Sequence, residues 1–403
     1  MRPRTATSGQ HVLVLTYWSF NDALIQTYTL PYVKLISAQL PAGSRIFLLT
    51  QDKTPPQAAD LSAWNIEVVS IPYHPFGLTG MLAWIGTLFK LLRLIRREKI
   101  AALHAWCTPA GMIGYLLSRL TGRRLIIDSY EPHAEAMVEN GTWKKGGIAF
   151  RLLFLFEKLQ TRRASHLIAA TAGMEDYARR KYAHTRKNLL VKPACVDLDQ
   201  FAQFPKDPLL LSELGLEGKL ICVYAGKFGG IYLDREVFGF AKAAQDHWGE
   251  RFHFLVLSNH TEAELKSFSA GSGFDTSALT VKFVPHSAVP AYLGLGDFAI
   301  TPVKSVPTKR YCTPIKDGEY WALGLPVVIT PNISDDSDII AENGIGSVIG
   351  ELSPAGYLQS VKEIDQLLRS HSRSELYEKI RPVAERYRNF KIAERIYEEI
   401  YGQ

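Results

Sequence analysis

Strand-like and helix-like segments alternate along this chain from one end to the other, in two series separated by one irregular stretch. The first series has strands at His11–Thr16, Ser44–Thr50, Asn65–Ser70, Ile100–His104, Arg124–Asp128 and His166–Ala170. Helical patterns fall between them at Gln26–Gln39, Gly80–Glu98, Pro109–Arg119, Ile148–Arg163 and Gly173–Lys181. Short apolar runs joined by amphipathic segments imply parallel strands with helices packed on the faces, a doubly wound α/β sheet. At Val191–Pro208 the pattern loosens into a linker. It resumes with strands at Lys219–Tyr224, Phe252–Leu257, Leu279–Val284 and Phe298–Pro302 and helices at Leu233–Gln245, Glu262–Phe268 and Val289–Leu295. A helix and strand over Thr313–Thr330 follow, and helical segments run from Pro354 to Tyr401. Two Rossmann-like domains facing each other across a cleft are expected, with ligands beyond the strand C-termini. The length, 403 residues, is also too great for one ordinary core.

Composition narrows the partners. With 47% hydrophobic and 21% charged residues the chain is globular. A net charge of +6 suits anionic substrates or an anionic membrane surface but is too small to argue for nucleic acid. Cys107, Cys195, Cys222 and Cys312 are scattered, which indicates neither a disulfide framework nor a zinc site and points to a reducing cytoplasm. No run reaches the ~20 apolar residues of a spanning helix, so a soluble or peripheral protein is expected.

Three common chemistries lack their signatures. Thr16-Tyr-Trp-Ser-Phe-Asn-Asp22 stands where a dinucleotide enzyme would carry Gly-x-Gly-x-x-Gly, and neither a P-loop nor Gly-x-Ser-x-Gly occurs. The second half is more informative. In Val223-Tyr-Ala-Gly-Lys-Phe-Gly-Gly-Ile-Tyr232, Gly226 and the glycine pair let backbone approach a phosphate, and Lys227 would supply charge. Downstream, Thr313 reads as an N-cap, Pro314 as the first helical residue and Gly324 as the C′ residue of a helix about ten residues long. Lys316 and Glu319 share a face of that helix, placing a cation and a carboxylate beside free backbone N–H groups. A nucleotide diphosphate and its ribose need such a set.

Tyr224-Ala-Gly-Lys227, the run His286-Ser-Ala-Val-Pro-Ala-Tyr-Leu-Gly-Leu-Gly-Asp297 and Thr313-Pro-Ile-Lys-Asp-Gly-Glu-Tyr-Trp-Ala-Leu-Gly324 resemble, in order and spacing, the landmarks of GT-B fold retaining glycosyltransferases, above all family four. Lys192–Phe201 is similar to that family's interdomain linker and Arg388–Tyr397 to its closing helix. The resemblance implies an acceptor domain over 1–200, a nucleotide-sugar domain over 201–380 and a C-terminal helix, 381–403, returning to the first domain. It gives Glu319 the ribose hydroxyls, the backbone of Thr313, Pro314 and Ile315 the donor sugar and phosphates, and Lys227 the leaving diphosphate. Two departures stand out. Tyr311 occupies the place of the family's first glutamate, and the second basic residue after the glycine turn is missing, with Arg235 as a stand-in and Lys316 as a source of the lost charge. On the acceptor side the resemblance points to His133 as the histidine facing the donor sugar, with Asp128 and Glu131 in the same stretch. That stretch also reads as a solvated polar loop, and His104, placed on the same acceptor side, reads more as a structural residue at a strand end near the cleft.

The implied activity is retaining, metal-independent transfer of a sugar from a nucleotide-diphosphate sugar to a glycan or lipid-linked acceptor of cell-surface polysaccharide synthesis, with no cofactor. A nucleotide-sugar epimerase of the same fold, or a degenerate sugar-nucleotide-binding protein, are the alternatives. Leu78–Arg97 and Phe150–Arg163 combine apolar bulk with terminal cations. They read as helices against a parallel sheet, or as edges that seat the first domain on an anionic membrane.

Overall fold

The computed structural model describes residues 9–55, 60–74, 78–202 and 205–402. The chain forms two compact units, one of Met1–Lys192 with Lys391–Gln403 and one of Pro193–Phe390.

The first unit carries β1 (Val12–Leu15), β2 (Ile46–Asp52), β3 (Ile66–Pro72), β4 (Ala102–Trp106), β5 (Arg124–Tyr130), β6 (His166–Ala169) and β7 (Leu189–Val191). They form one 7-stranded sheet in the order β3-β2-β1-β4-β5-β6-β7, and every recorded pairing is parallel. Its helices are α1 (Leu30–Gln39), α2 (Leu78–Arg97), α3 (Cys107–Thr121), α4 (His133–Glu139), α5 (Ile148–Arg163) and α6 (Gly173–Tyr182). β1, β2 and β4 are buried along their whole length, as strands covered on both faces must be.

The second unit repeats the scheme. After α7 (Pro208–Leu214), the strands β8 (Leu220–Ala225), β9 (Phe252–Leu257), β10 (Leu279–Lys282), β11 (Phe298–Thr301), β12 (Val327–Ile329) and β13 (Gly346–Val348) pair in the order β10-β9-β8-β11-β12-β13. The helices are α8 (Arg235–Trp248), α9 (Glu262–Ser269), α10 (Val289–Leu293), α11 (Ile315–Ala322), α12 (Asp336–Asn343), α13 (Pro354–Ser370) and α14 (Arg373–Tyr387). The last helix, α15 (Phe390–Tyr401), carries the chain into the first unit. In each sheet the strand order reverses direction, between β1 and β4 and between β8 and β11, and the crevice above such a reversal is where doubly wound sheets bind ligands.

The unit boundaries move the sequence divisions. The break expected at 200 lies at Lys192/Pro193, because Val196 stays in the second unit, its N–H donating to the Arg388 carbonyl. The break expected at 380 lies at Phe390/Lys391, because residues 381–387 complete α14. β7 and α7 flank the linker stretch, each sharing one residue with it, and like α4, α12 and β13 they are absent from the sequence pattern.

A buried cluster holds α15 to the first unit. Asp128 Oδ1 lies 2.9 Å from Lys192 Nζ, while Oδ2 accepts the Tyr397 hydroxyl at 2.7 Å and faces His104 Nε2 at 3.2 Å. His104 Nδ1 lies 2.8 Å from the Tyr401 hydroxyl. The Lys192 ammonium also sits 3.6 Å from the Tyr32 ring centre and 4.6 Å from that of Trp106. Burial works to raise the Asp128 carboxyl, but Lys192 and His104 outweigh it and hold its pKa below the ordinary aspartate value. Burial keeps His104 neutral, so its Nε2–H donates to Asp128 and its Nδ1 accepts from Tyr401. Asp128 and His104, expected on the acceptor side, are both 0% exposed, and each spends its polar atoms inside this network. They are interior residues that fasten α15, not acceptor contacts.

Removing the carboxylate leaves a buried ammonium without a counter-ion. Asp128→Ala is expected to cost about 3–5 kcal/mol of unfolding free energy. Chemical denaturation checks this, and a loss no larger than that of an ordinary surface substitution would show that Lys192 finds solvent or another partner.

Candidate functional site

The glycine turn after β8 and the start of α11 meet in the second unit. A Cβ built on Gly226 would lie 2.7 Å from Lys316 Nζ and 2.7 Å from the Tyr224 hydroxyl, so glycine is what lets the lysine lie against the turn. Lys316 is buried, its Nζ 4.7 Å from the Tyr224 ring centre and 4.3 Å from that of Tyr232. It donates weakly to the Tyr224 hydroxyl at 3.4 Å, and that hydroxyl donates to the Lys227 carbonyl. Burial alone would lower the lysine's pKa, but the two phenols offset it and raise the pKa, so the group is an ammonium. Among the described residues no carboxylate lies within ion-pair distance of it.

Glu319, one turn on, is half-buried, and its side chain makes no hydrogen bond or ion pair among the described residues. Burial pushes its pKa up to about 7, with Lys316 pulling the other way. Lys227 is exposed on the turn, where Gly229 and Gly230 adopt positive φ of 75° and 62°. Arg235 opens α8 as an exposed side chain, its backbone N–H held by Asp234, and no contact joins it to Lys316.

The opening of α11 differs from the sequence reading. Pro314, not Thr313, is the N-cap residue, no side chain caps the helix, and α11 has 8 residues. Thr313 instead pairs its hydroxyl with Ser334 at 3.1 Å. Ser334 in turn donates its N–H to the Lys309 carbonyl, and Arg310 reaches Asn332 Oδ1 at 3.1 Å. Asn332 and Ser334 both adopt left-handed backbone, φ 59° and 52°. The segment carrying Tyr311, a half-buried residue in a short 3₁₀ turn, is thus tied to the loop after β12. Gly324, at φ 74°, does follow α11 as the C′ residue.

The inner face of α11 carries what the sequence did not reveal. Asp317 is fully buried and accepts the Thr301 hydroxyl, and burial together with the neighbouring Asp336 carboxylate pushes its pKa well above the ordinary aspartate value. Asp336 pairs with Arg388, whose guanidinium lies 5.0 Å from the Trp321 ring centre. A Cβ on Gly318 would come 3.0 Å from Arg388 Cγ, so the odd Asp-Gly pair inside the motif makes room for this arginine.

In the first unit, His133 opens α4 and lies 3.2 Å from Glu131 Oε1, both side chains about a quarter exposed (25% and 27%). Glu157 of α5, overlooked in the sequence, is fully buried beneath them, accepting the Ala134 N–H at 2.8 Å and the Tyr182 hydroxyl at 2.9 Å. Burial pushes its pKa up to about 7, partly offset by the Ala134 N–H, the Tyr182 hydroxyl and, less, His133. The buried stripe Leu153, Glu157, Gln160, Thr161 is a helical face, and an acid on such a face was the signal available.

Comparisons with known proteins agree with this architecture. Residues 30–194 match the model of the glycosyl transferase 4-like domain. No curated protein matches the chain. Among solved structures it is similar to the sucrose-phosphate synthase of Thermosynechococcus elongatus (TM-score 0.72, 12% identity, 97% of this chain and 98% of that one). It is similar to WaaG, a glycosyltransferase involved in lipopolysaccharide biosynthesis (TM-score 0.72, 14%, 98% and 100%). It also resembles Anabaena HepE in complex with UDP and glucose (TM-score 0.71, 14%, 98% and 100%). The chain has the fold of these GT-B glycosyltransferase structures, and its residues 30–194 match the glycosyl transferase 4-like domain.

Proposed function

We propose that this chain transfers a sugar, with retention of configuration and without a metal ion, from a nucleotide-diphosphate sugar bound by the second unit to an acceptor bound by the first. The observation that carries the proposal is the Lys316 ammonium, clamped between two phenols against Gly226 with no carboxylate among the described residues within ion-pair distance. A diphosphate beside Gly226 would supply the missing charge. Bond cleavage builds negative charge on the departing diphosphate, and a fixed cation already in place stabilises that charge without reorganising. Lys227 adds a second, mobile charge at the rim of the turn, and Glu319 would accept the ribose hydroxyls. Anabaena HepE, similar in fold, has been solved with UDP-glucose, which makes that donor the first to try. The acceptor we propose is a glycan or lipid-linked intermediate of cell-surface polysaccharide synthesis, met on the cytoplasmic face of an anionic membrane, with His133 and Glu131 on the acceptor side.

The test is a panel of nucleotide sugars, followed for free nucleotide with and without acceptor, with and without chelator. Nucleotide release that needs acceptor and persists in chelator supports the proposal. Dependence on added magnesium or manganese refutes the metal-free part. Binding with no release supports a degenerate binding protein, for which Tyr311 at the first glutamate's place is the argument.

Glu319 gives a pH prediction. Its carboxyl, with a free-state pKa near 7, must be ionised to accept two hydroxyls, so affinity rises as pH climbs through that value. UDP-glucose, whose diphosphate does not titrate there, should bind about tenfold more weakly at about pH 6 than at about pH 8. Glu319→Gln should flatten the profile, and Glu319→Ala should cost about 1.5–3 kcal/mol, roughly ten- to a hundredfold in affinity. Isothermal titration across pH is the measurement, and an unchanged profile in Glu319→Gln places the ribose elsewhere.

Lys227→Ala is expected to lower turnover more than it weakens donor binding, because leaving-group charge grows toward the transition state. Equal losses in kcat and affinity would reduce Lys227 to a binding residue.

A further inference from the structure

Right-handed crossovers put α2, α3 and α5 on the same side of the first unit's sheet, since β3 to β4, β4 to β5 and β5 to β6 all step the same way along it. α3 packs between α2 and α5. Each helix turns apolar side chains outward. Ile85 and Phe89 on α2 are 48% and 67% exposed, Leu120 on α3 is 58%, and Ile148, Leu152 and Leu155 on α5 are 88%, 41% and 51%. Exposed cations alternate with them: Lys90 and Arg93, Arg119, and Arg151. Neither α2 nor α3 contains an acidic residue, and the single acid of α5, Glu157, is buried.

We infer that the outer face of α2, α3 and α5 is a docking surface for an anionic lipid bilayer. The inference rests on the membrane side of the function proposed above and supplies its surface, including α3, which the sequence patterns did not include. Protein interfaces concentrate apolar side chains at a centre depleted of charge. Here apolar and cationic residues are neighbours on every helix (Phe89 and Lys90, Arg119 and Leu120, Arg151 and Leu152), the arrangement of helices lying in a lipid headgroup region. The apolar tips enter the acyl boundary while the cations meet lipid phosphates. Among the described residues no helix is long and apolar enough to cross a membrane, so contact of this kind is reversible.

Flotation of the full chain with vesicles tests it, using phosphatidylcholine alone and phosphatidylcholine with phosphatidylglycerol, at low and high salt. The protein should float with anionic vesicles at low salt and be released at high salt. Lys90→Glu with Arg93→Glu should reduce the partition coefficient at least about tenfold. Phe89→Ser with Leu120→Ser should weaken it too, because the surface also inserts. UDP binding, followed by thermal shift, should be unchanged in both double variants, which keeps this result separate from the donor site. Failure of UDP to bind the wild type would count against the donor proposal and leave flotation to decide the surface. Wild-type protein that stays with the soluble fraction at low salt overturns the inference, as do variants that float as well as wild type. A dimer in sedimentation that both double variants abolish, with no flotation, would assign the face to a second copy of the chain.

Discussion

A lysine ammonium shut away from water has to be neutralised or held by something else, and this fold solves that problem in two opposite ways. In the first unit Lys192 lies among Tyr32, Trp106 and Tyr397 and is paired with Asp128. That interaction fastens the end of β5, the residue where the chain leaves the unit, and the helix on which it returns. Asp128, His104, Tyr397 and Tyr401 satisfy one another within it, so their polar atoms are already spent. In the second unit Lys316 lies between Tyr224 and Tyr232 with no carboxylate among the described residues in ion-pair contact. The same chemistry, minus the counter-ion, leaves a fixed positive site. The ion-paired lysine is architectural, and the unpaired one is where function is argued.

The unpaired lysine is affordable only because α11 is anchored from behind. Asp317, one residue on, turns inward to Thr301, and Gly318 admits Arg388, which stacks over Trp321 and pairs with Asp336. Tyr320 donates its hydroxyl to none of these but receives the Ala225 N–H, tying α11 to the end of β8 just before the glycine turn. One side of a short helix is thus locked to the sheet and to α14, while Lys316 and Glu319 are left for whatever binds beside Gly226. Held groups of this kind lose little freedom on binding, which is the advantage of preorganisation.

How much of this could be read in the sequence depended on whether a signal was local. The two β/α series, Gly226 and Lys227 in the turn, and Gly324 ending α11 follow from apolar periodicity and from backbone conformations that glycine tolerates, so each was legible. What was misread involved long-range partners. Thr313 has the side chain of an N-cap, but Ser334 competes for its hydroxyl and Pro314 takes the cap position. Asp128 looks like a site residue because polar groups at strand ends often are, yet its partners Lys192 and Tyr397 are distant in sequence. The structural reading of His104 stands, though its partner Tyr401 is equally out of view. β7 is three residues long, and α4 begins at a proline cap with no side-chain capping bond, so neither left a period long enough to recognise.

Glu319 completes the electrostatic logic of the second unit. Were it ionised and free in a half-dry setting, desolvation would work against it; its raised pKa means that near neutrality it is shared between neutral and charged forms. The site therefore presents one cation with no carboxylate among the described residues beside it and one carboxyl not fully committed to charge. A diphosphate next to Lys316 satisfies the first, and a pair of sugar hydroxyls donating to the carboxylate satisfies the second by favouring its ionised form. A ligand with only one of these features leaves the other group as it was. If the proposed donor site is right, selectivity for a nucleoside diphosphate over a free phosphate or a nucleoside would arise from two groups on one turn of helix, each corrected by a different part of the same molecule.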